Sequence, residues 1–143
     1  MATTTYSFED VSCSLVHDSV GSVSTTGAGI GSITTTMSTD RTVHDVAADG
    51  SVMVSKVAGK NGAIALVVQQ TSDLHKWLIK WYNYVDLADS SEWAGMNITI
   101  KSKNLGDSTV CTGVSPQKLA DRPYQAQGQH VTWNLMAAKI TQS

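Results

Sequence analysis

The stretch TSDLHKWLIKWYNYVDL, residues 71–87, decides the fold, because it is the one convincing amphipathic helix in a chain that otherwise has strand-like patterning. Its apolar residues recur at the spacing of a single helical face. The residues that we expect to anchor this helix in the core are Leu74, Trp77, Leu78, Trp81 and Val85. Ser72 or Thr71 can cap the first turn, and Asp73 suits the positive end of the helix dipole. The pattern predicts a helix over about residues 72–87.

The opposite face of this helix is polar and carries Lys76 and Lys80, one turn apart. These lysines either pair with an acidic partner or serve only solubility, and the sequence does not separate the two roles. A lone helix with so apolar a stripe, set among strands, must lie across a sheet or barrel.

Alternating apolar and polar residues predict six to eight strands around the helix. Two of them, residues 51–57 and 63–70, flank the segment AGKNG, in which Asn61 and Gly62 suit a tight hairpin turn. The closing strand is expected over residues 130–138. We therefore predict a mainly β fold, a β-barrel or sandwich of two packed sheets with one α-helix on the outside, in a single domain over residues 1–143.

The segment STDRTVHDVAADG, residues 38–50, is polar and longer than a compact domain needs between two strands. Long loops without their own secondary structure tend to be functional or to contact partners. We therefore predict an extended polar loop, or arm, over about residues 38–50.

The composition favours a surface that packs against copies of itself. Only 15% of the residues are charged, against about 25% in a typical soluble domain, and charge is depleted from interface cores. A monomeric domain rich in Ser and Thr is the alternative. The net charge of −2 argues against tight binding of nucleic acid phosphates, although DNA could slide past such a surface without adhering.

The sequence contains no run of apolar residues long enough to span a membrane, and its first residues lack the features of a secretion signal. We expect the protein to fold in the cytosol, with Cys13 and Cys111 reduced and buried as small hydrophobic residues.

The motifs that would carry chemistry are absent or out of context. The glycine-rich run GAGIGS, residues 27–32, does not open a helix after a strand, so it is not a dinucleotide-binding loop. The four histidines form no paired metal motif, and no nucleophile elbow occurs. We predict no catalytic residues, no metal and no cofactor.

Several short strings together resemble a family of bacteriophage structural proteins. They are the opening TYSFEDVSCSL, the turn ADGS at residues 48–51, the segment SKVAGKNGAIAL and the closing run of residues 93–139. The order of elements is similar too: strands, polar loop, hairpin, a helix whose last turns contain WYN, then strands. This family comprises the tail tube proteins of long-tailed, mostly contractile, phages.

The resemblance implies a structural subunit that forms rings of six, stacked into a hollow tube through which DNA is delivered to the host cell. Strands from all subunits would line the channel, with the helix outside. The arm would reach a neighbouring subunit or ring through Arg41, His44, Asp45 and Asp49. Lys76 and Lys80 would face a sheath. We expect a slightly acidic, hydroxyl-rich channel that lets DNA pass without specific binding.

Further partners implied by the resemblance are tape-measure, baseplate and tail terminator proteins. The location implied is the virion tail, assembled in the host cytoplasm. One alternative is the tube of a phage-derived contractile particle. Another is a monomeric β-sandwich binding module, such as a sugar or adhesion domain.

Overall fold

The computed structural model describes residue 3 and residues 5–26 and 30–143, as nine strands and one α-helix. The first three residues of the glycine-rich run, residues 27–29, lie outside this range. The strands are β1 (Val11–His17), β2 (Gly21–Thr25), β3 (Ile30–Met37), β4 (Thr42–Val46), β5 (Val52–Lys56), β6 (Gly62–Gln69), β7 (Met96–Ser102), β8 (Asp107–Pro116) and β9 (His130–Gln142). The helix α1 (Asp73–Leu87) lies between β6 and β7.

Seven of the strands form one sheet in the order β2-β1-β7-β8-β9-β6-β3, and every neighbouring pair is antiparallel. Only residues 26–29 separate β2 from β3, so the Cα atoms of Thr25 and Ile30 lie within about 18 Å of each other, although the two strands are at opposite edges. The sheet is therefore curled into a half-barrel.

The core lies between the concave, or inner, face of this sheet and α1. Each strand sends alternate side chains inward, and register pairs them across the sheet: Leu15 faces Ile98, and Leu66 faces Trp133. All four of these side chains are buried. A β-sheet with one apolar face needs an element to cover it, and α1 covers this one.

The helix begins where the sequence predicts. The Oγ atom of Ser72 accepts a hydrogen bond from the backbone N–H of His75, 3.2 Å away, and caps the first turn. Leu74, Leu78 and Trp81 lie in the core together with Val85. The mainly β fold with one α-helix packed against the sheet is thus confirmed.

The second sheet is small and does not enclose a core. It contains only β4 and β5, which pair from Thr42 opposite Lys56 to Val46 opposite Val52. Every residue of both strands is exposed. The predicted pairing of residues 51–57 with 63–70 is therefore wrong, because β5 pairs with β4, whereas β6 lies between β3 and β9.

The polar segment of residues 38–50 is likewise not a plain loop, because it contains β4. Neither face of β4 is buried. Its sequence therefore lacks the alternation of apolar and polar residues from which a strand can be predicted. Its strand character depends on pairing with β5.

The closing strand runs four residues beyond the prediction, to Gln142. Cys111 and Val114 in β8 lie opposite Ile140 and Ala137 in β9. Gly113, between them, adopts φ 65°, and there the register of β8 against β7 shifts by one residue, from Val114 opposite Met96 to Cys111 opposite Ile98. Such a bulge shifts the side-chain alternation by one residue. Ala137 and Ile140 are consequently both buried, and the pattern of period two ends early.

Candidate assembly surfaces

The paired strands β4 and β5 and the turn between them, residues 42–56, form a two-stranded projection that we call the hairpin arm. An isolated two-stranded hairpin is marginally stable in water. The arm nevertheless presents large apolar side chains to solvent on both faces. Val46, Val52 and Val54 share one face, and Val43 and Met53 share the other.

The base of the arm is tied to the half-barrel by hydrogen bonds on both sides. The N–H of Ser38 donates to the carbonyl of Asn61 at 3.0 Å, and the hydroxyl of Thr39 donates to Asn61 Oδ1 at 2.6 Å. The N–H of Val57 donates to the carbonyl of Arg41 at 2.9 Å. These bonds fix the direction in which the arm leaves the sheet.

Of the four residues predicted for the arm, two have side chains that form hydrogen bonds within their own chain. The guanidinium of Arg41, which is half-buried, donates to the carbonyl of Gly59 at 3.3 Å. Asp49 accepts hydrogen bonds from the hydroxyl and the N–H of Ser51, at 2.7 and 3.0 Å. These bonds, led by the hydroxyl, lower the pKa of Asp49. Asp49 therefore shapes the turn of the arm, and Arg41 lies at its base, just before β4.

The other two predicted residues, His44 and Asp45, lie in β4 and are exposed. His44 is opposite Val54, and Asp45 is opposite Met53. As consecutive strand residues they point to opposite faces of the arm. The apolar residues around them are not apparent from the sequence, in which residues 51–57 are predicted to pair with residues 63–70 instead.

The outer face of α1 places Lys76 and Lys80 in solvent, as the helical spacing predicts. The opposite face buries Leu74, Leu78, Trp81 and Val85, whereas Trp77 is only half-buried at the rim of the core. His75 lies among the buried residues, a position that the sequence reasoning left unassigned.

The C-terminal end of α1 forms a second exposed surface. Leu87 is 89% exposed, and Tyr84 and Trp93 are also accessible. The carboxylate of Glu92 accepts hydrogen bonds from the hydroxyls of Ser19 and Tyr84. These bonds, that of Ser19 first, lower the pKa of Glu92 and join the helix to the turn between β1 and β2.

Among the described residues, no group of three or more His, Cys, Asp and Glu side chains is placed so that it could hold a metal ion. Within residues 3, 5–26 and 30–143, no helix is long and apolar enough to cross a membrane. The arm and the C-terminal end of α1 are the two places where large apolar side chains cluster at the surface of the described residues.

The fold is that of tube-forming and tube-terminating proteins of contractile injection systems. The chain is similar to the sheath/tube terminator of an extracellular contractile injection system, PVC, in its extended state, with a TM-score of 0.68 and 14% identity over 100% of this chain and 99% of that one. It is also similar to the tube-terminating cap of the anti-feeding prophage, with a TM-score of 0.66 and 12% identity over 100% and 93%.

A chain from the PVC sheath-tube complex matches with a TM-score of 0.62 and 15% identity, over 94% of this chain and 88% of that chain. At these identities the likeness establishes the fold alone. Among curated proteins, none matches this chain.

The family model of the bacteriophage PhiTE tail tube protein matches residues 1–143. The chain belongs to this family of phage tail tube proteins. The resemblance stated from its short sequence strings is thereby confirmed.

Proposed function

We propose that this protein is the repeating subunit of a tail tube, in which six copies form a ring and stacked rings form a hollow conduit for DNA. The role is structural and involves no catalysis. The observation that carries the proposal is the hairpin arm, whose exposed apolar side chains lie on both faces of a strand pair with no core of its own. Membership of the tail tube family supports it.

The arm is proposed to contact a neighbouring subunit or the next ring. Contact between different surfaces of identical subunits closes rings or propagates filaments, and a tube requires both. His44 and Asp45 would make polar contacts there beside Val54 and Met53, while Arg41 and Asp49 hold the shape of the arm.

The proposed partners are a sheath, a tape-measure protein, a baseplate and a tail terminator, in a virion tail assembled in the host cytoplasm. Structures that share the fold come from a sheath-tube complex, a tube terminator and a baseplate. Lys76 and Lys80, exposed on α1, would face the sheath.

The first test is electron microscopy of the purified protein over a range of concentrations, which we expect to show rings or hollow tubes. The second is a variant in which two glycines replace residues 42–56. Because Arg41 and Val57 are already hydrogen-bonded, a short linker closes the gap without strain. A deletion of residues 40–49 alone would remove β4 and leave β5 without its partner strand. The variant therefore lacks the whole arm.

The arm variant should keep its thermal unfolding and circular dichroism but form no tubes. The matched control is the paired substitution Val46→Thr and Val54→Thr, which keeps β-branched residues in the strands and removes only apolar contact. If this control also assembles more weakly than the wild type, the loss of tubes in the arm variant is due to the exposed valines. Normal tubes from the arm variant would refute the arm assignment. A wild-type protein that stays monomeric would instead favour a β-sandwich binding module.

A second candidate is the tube of a phage-derived contractile particle, which the likeness to the PVC and anti-feeding prophage chains favours. Particles isolated from the producing cells distinguish the two functions. Nuclease-protected DNA inside tailed particles indicates a phage, and DNA-free tubes with a sheath indicate an injection device.

A further inference from the structure

We propose that nine uncharged side chains on the outer face of β3, β6 and β9 line the channel, and that the wall they form is electrically neutral toward double-stranded DNA passing along it. The proposal rests on the proposed tube and specifies which surface lines it. The convex face of the half-barrel is on the side of the sheet opposite to α1. If α1 lies on the outside of the tube, the convex face must therefore face the channel.

The register decides which side chains stand on this face. Ile64 and Leu66 point into the core and are 1% exposed, so the residues between them point outward. Pairing of β3 with β6 and of β6 with β9 places Thr34, Ala65 and Asn134 in one row across the three strands.

Two further rows flank this one and complete what we call the neutral panel. They contain Ser32, Val67 and Thr132 on one side, and Thr36, Ala63 and Met136 on the other. All nine side chains of the panel are exposed or half-exposed in the isolated chain.

The panel contains no charged residue, and the carboxylates of the chain are distributed away from the whole sheet. Of the twelve aspartates and glutamates in the sequence, the seven strands contain one, Asp107, at the start of β8 opposite the buried Ser102. The two exposed lysines of the sheet are outside the panel: Lys101 lies in β7 opposite Ser108, and Lys139 lies in β9 opposite Thr112, three residues beyond Met136. In α1 the charges of Asp73 and Asp86 are balanced by Lys76 and Lys80, so the negative net charge belongs to the arm and the connecting segments.

The composition of the panel is unlike that of a protein interface. Interface cores are enriched in aromatic residues, Met and Arg and depleted in Ser and Ala. The panel has small and hydroxyl side chains, with Met136 and Val67 its largest apolar groups, whereas the exposed valines lie on the arm and Leu87 lies at the helix end. Contacts between subunits are better served by those two surfaces.

A neutral wall suits the passage of a phosphodiester polymer. Lysine and arginine neutralise phosphates and hold DNA with an affinity that falls steeply with salt, and carboxylates repel it. Hydroxyl and methyl groups neither bind nor repel phosphates. DNA can therefore move along the channel without breaking an ionic contact with the wall at each ring. The proposed neutral wall differs from the slightly acidic channel expected from the sequence.

Cysteine accessibility in assembled tubes tests the placement of the panel. Thr34→Cys puts a thiol on the panel, and Lys76→Cys puts one on the outer face of α1 as the matched control. The native Cys13 and Cys111 do not compete, because they are 1% and 0% exposed and burial raises their pKa values to about 12 and about 11. Each variant is treated with a small maleimide and with one joined to a polymer too bulky for the channel.

In tubes, Thr34→Cys should react with the small reagent but not with the bulky one, while Lys76→Cys reacts with both. In free subunits both variants should react with both reagents. Reaction of Thr34→Cys in tubes with the bulky reagent would place the panel outside, and reaction with neither would bury it between subunits; either result overturns the inference. Met136→Cys, on the same panel, gives the same readout if Thr34→Cys does not assemble.

The neutrality is tested by tubes of Thr34→Lys, which should retain a short DNA duplex at low salt and release it as salt is raised. Wild-type tubes should retain none, and retention equal to that of the variant would overturn the neutral wall. Failure of the wild-type protein to form tubes at all would contradict the proposed function, which keeps the two failures apart.

Discussion

Trp81 and Trp133 are both fully buried in the core, yet their indole N–H groups differ in hydrogen bonding. The N–H of Trp133 donates to Nδ1 of His75 at 3.2 Å. The N–H of Trp81 has no partner among the described residues. A buried polar group without a partner destabilises the fold by about 1–3 kcal/mol, so the two tryptophans contribute unequally.

We expect Trp133→Phe to lower the free energy of unfolding by about 1–3 kcal/mol more than Trp81→Phe, because only the former leaves His75 without its donor. The two substitutions delete the same atoms from fully buried positions, so each serves as the control for the other. Urea denaturation followed by circular dichroism measures the difference. Equal losses would show that the hydrogen bond to His75 contributes nothing net.

The same histidine makes the stability of the fold depend on pH. Burial, and secondarily the positive charge of Arg122, lower the pKa of His75. In the unfolded chain a histidine takes up a proton near pH 6.5, while in the folded chain it resists doing so. Unfolding is therefore favoured as the pH falls below that value, and the contribution is fully present above it.

The urea midpoint of the wild type should fall more between about pH 7.5 and about pH 5.5 than that of His75→Gln, since glutamine keeps an acceptor but does not titrate in this range. The pKa of Glu92 is also lowered, but its contribution is lost only at more acidic pH, below its ordinary value of 4.5. Identical pH profiles for the two proteins would exclude His75 as the cause.

At the scale of elements, α1 is the best predicted part of the molecule. Its period of 3.6 residues and its cap are local properties, so the sequence predicts a helix over residues 72–87 where the structure has Asp73–Leu87. The depth of each side chain is not local. Leu78 is 0% exposed, while Trp77, one residue before it, is half-buried because it lies at the rim of the helix–sheet contact.

We expect Leu78→Ala to cost about 2–5 kcal/mol of unfolding free energy, and Trp77→Ala to cost less than the about 3–5 kcal/mol typical of a fully buried tryptophan. Chemical denaturation of both variants measures this. A cost for Trp77→Ala at or above that range would mean that the indole is enclosed in solution.

The hairpin arm is the element that sequence reasoning described least well. A polar stretch with a partner-binding role was expected over residues 38–50, and the structure places β4 there. Its pairing with β5 replaces the expected hairpin of residues 51–57 with 63–70. Turn signals at both ends of β5 are equally good locally, so only the burial of β6 between β3 and β9 decides which partner each strand takes.

At the scale of the whole molecule, one core spans all seven strands of the half-barrel and α1. Cys13 in β1 and Cys111 in β8 lie on either side of β7, opposite Ile100 and Ile98 respectively. Both thiols are buried with raised pKa values, so they report on the opening of the sheet from two positions.

Both cysteines should react with a thiol reagent only when the whole domain unfolds, and therefore at the same rate, if residues 1–143 behave as a single cooperative unit. Peptide mapping of the labelled protein at low denaturant concentration measures the two rates separately. Addition of denaturant to full unfolding is the positive control. A faster rate at Cys13 would show that β1 and β2 open independently of the rest.

The helix, most of its buried stripe, most of the core strands and, through short strings of residues, the tail tube family could all be predicted from the sequence. Each of these depends on local periodicity or on the strings themselves. The tertiary structure alone decided the curled sheet order, the pairing of β4 with β5, the bulge at Gly113 and the face on which Thr34, Ala65 and Asn134 stand. Those features depend on which distant strands pair and in what register, and a shift of one residue would have reversed every face.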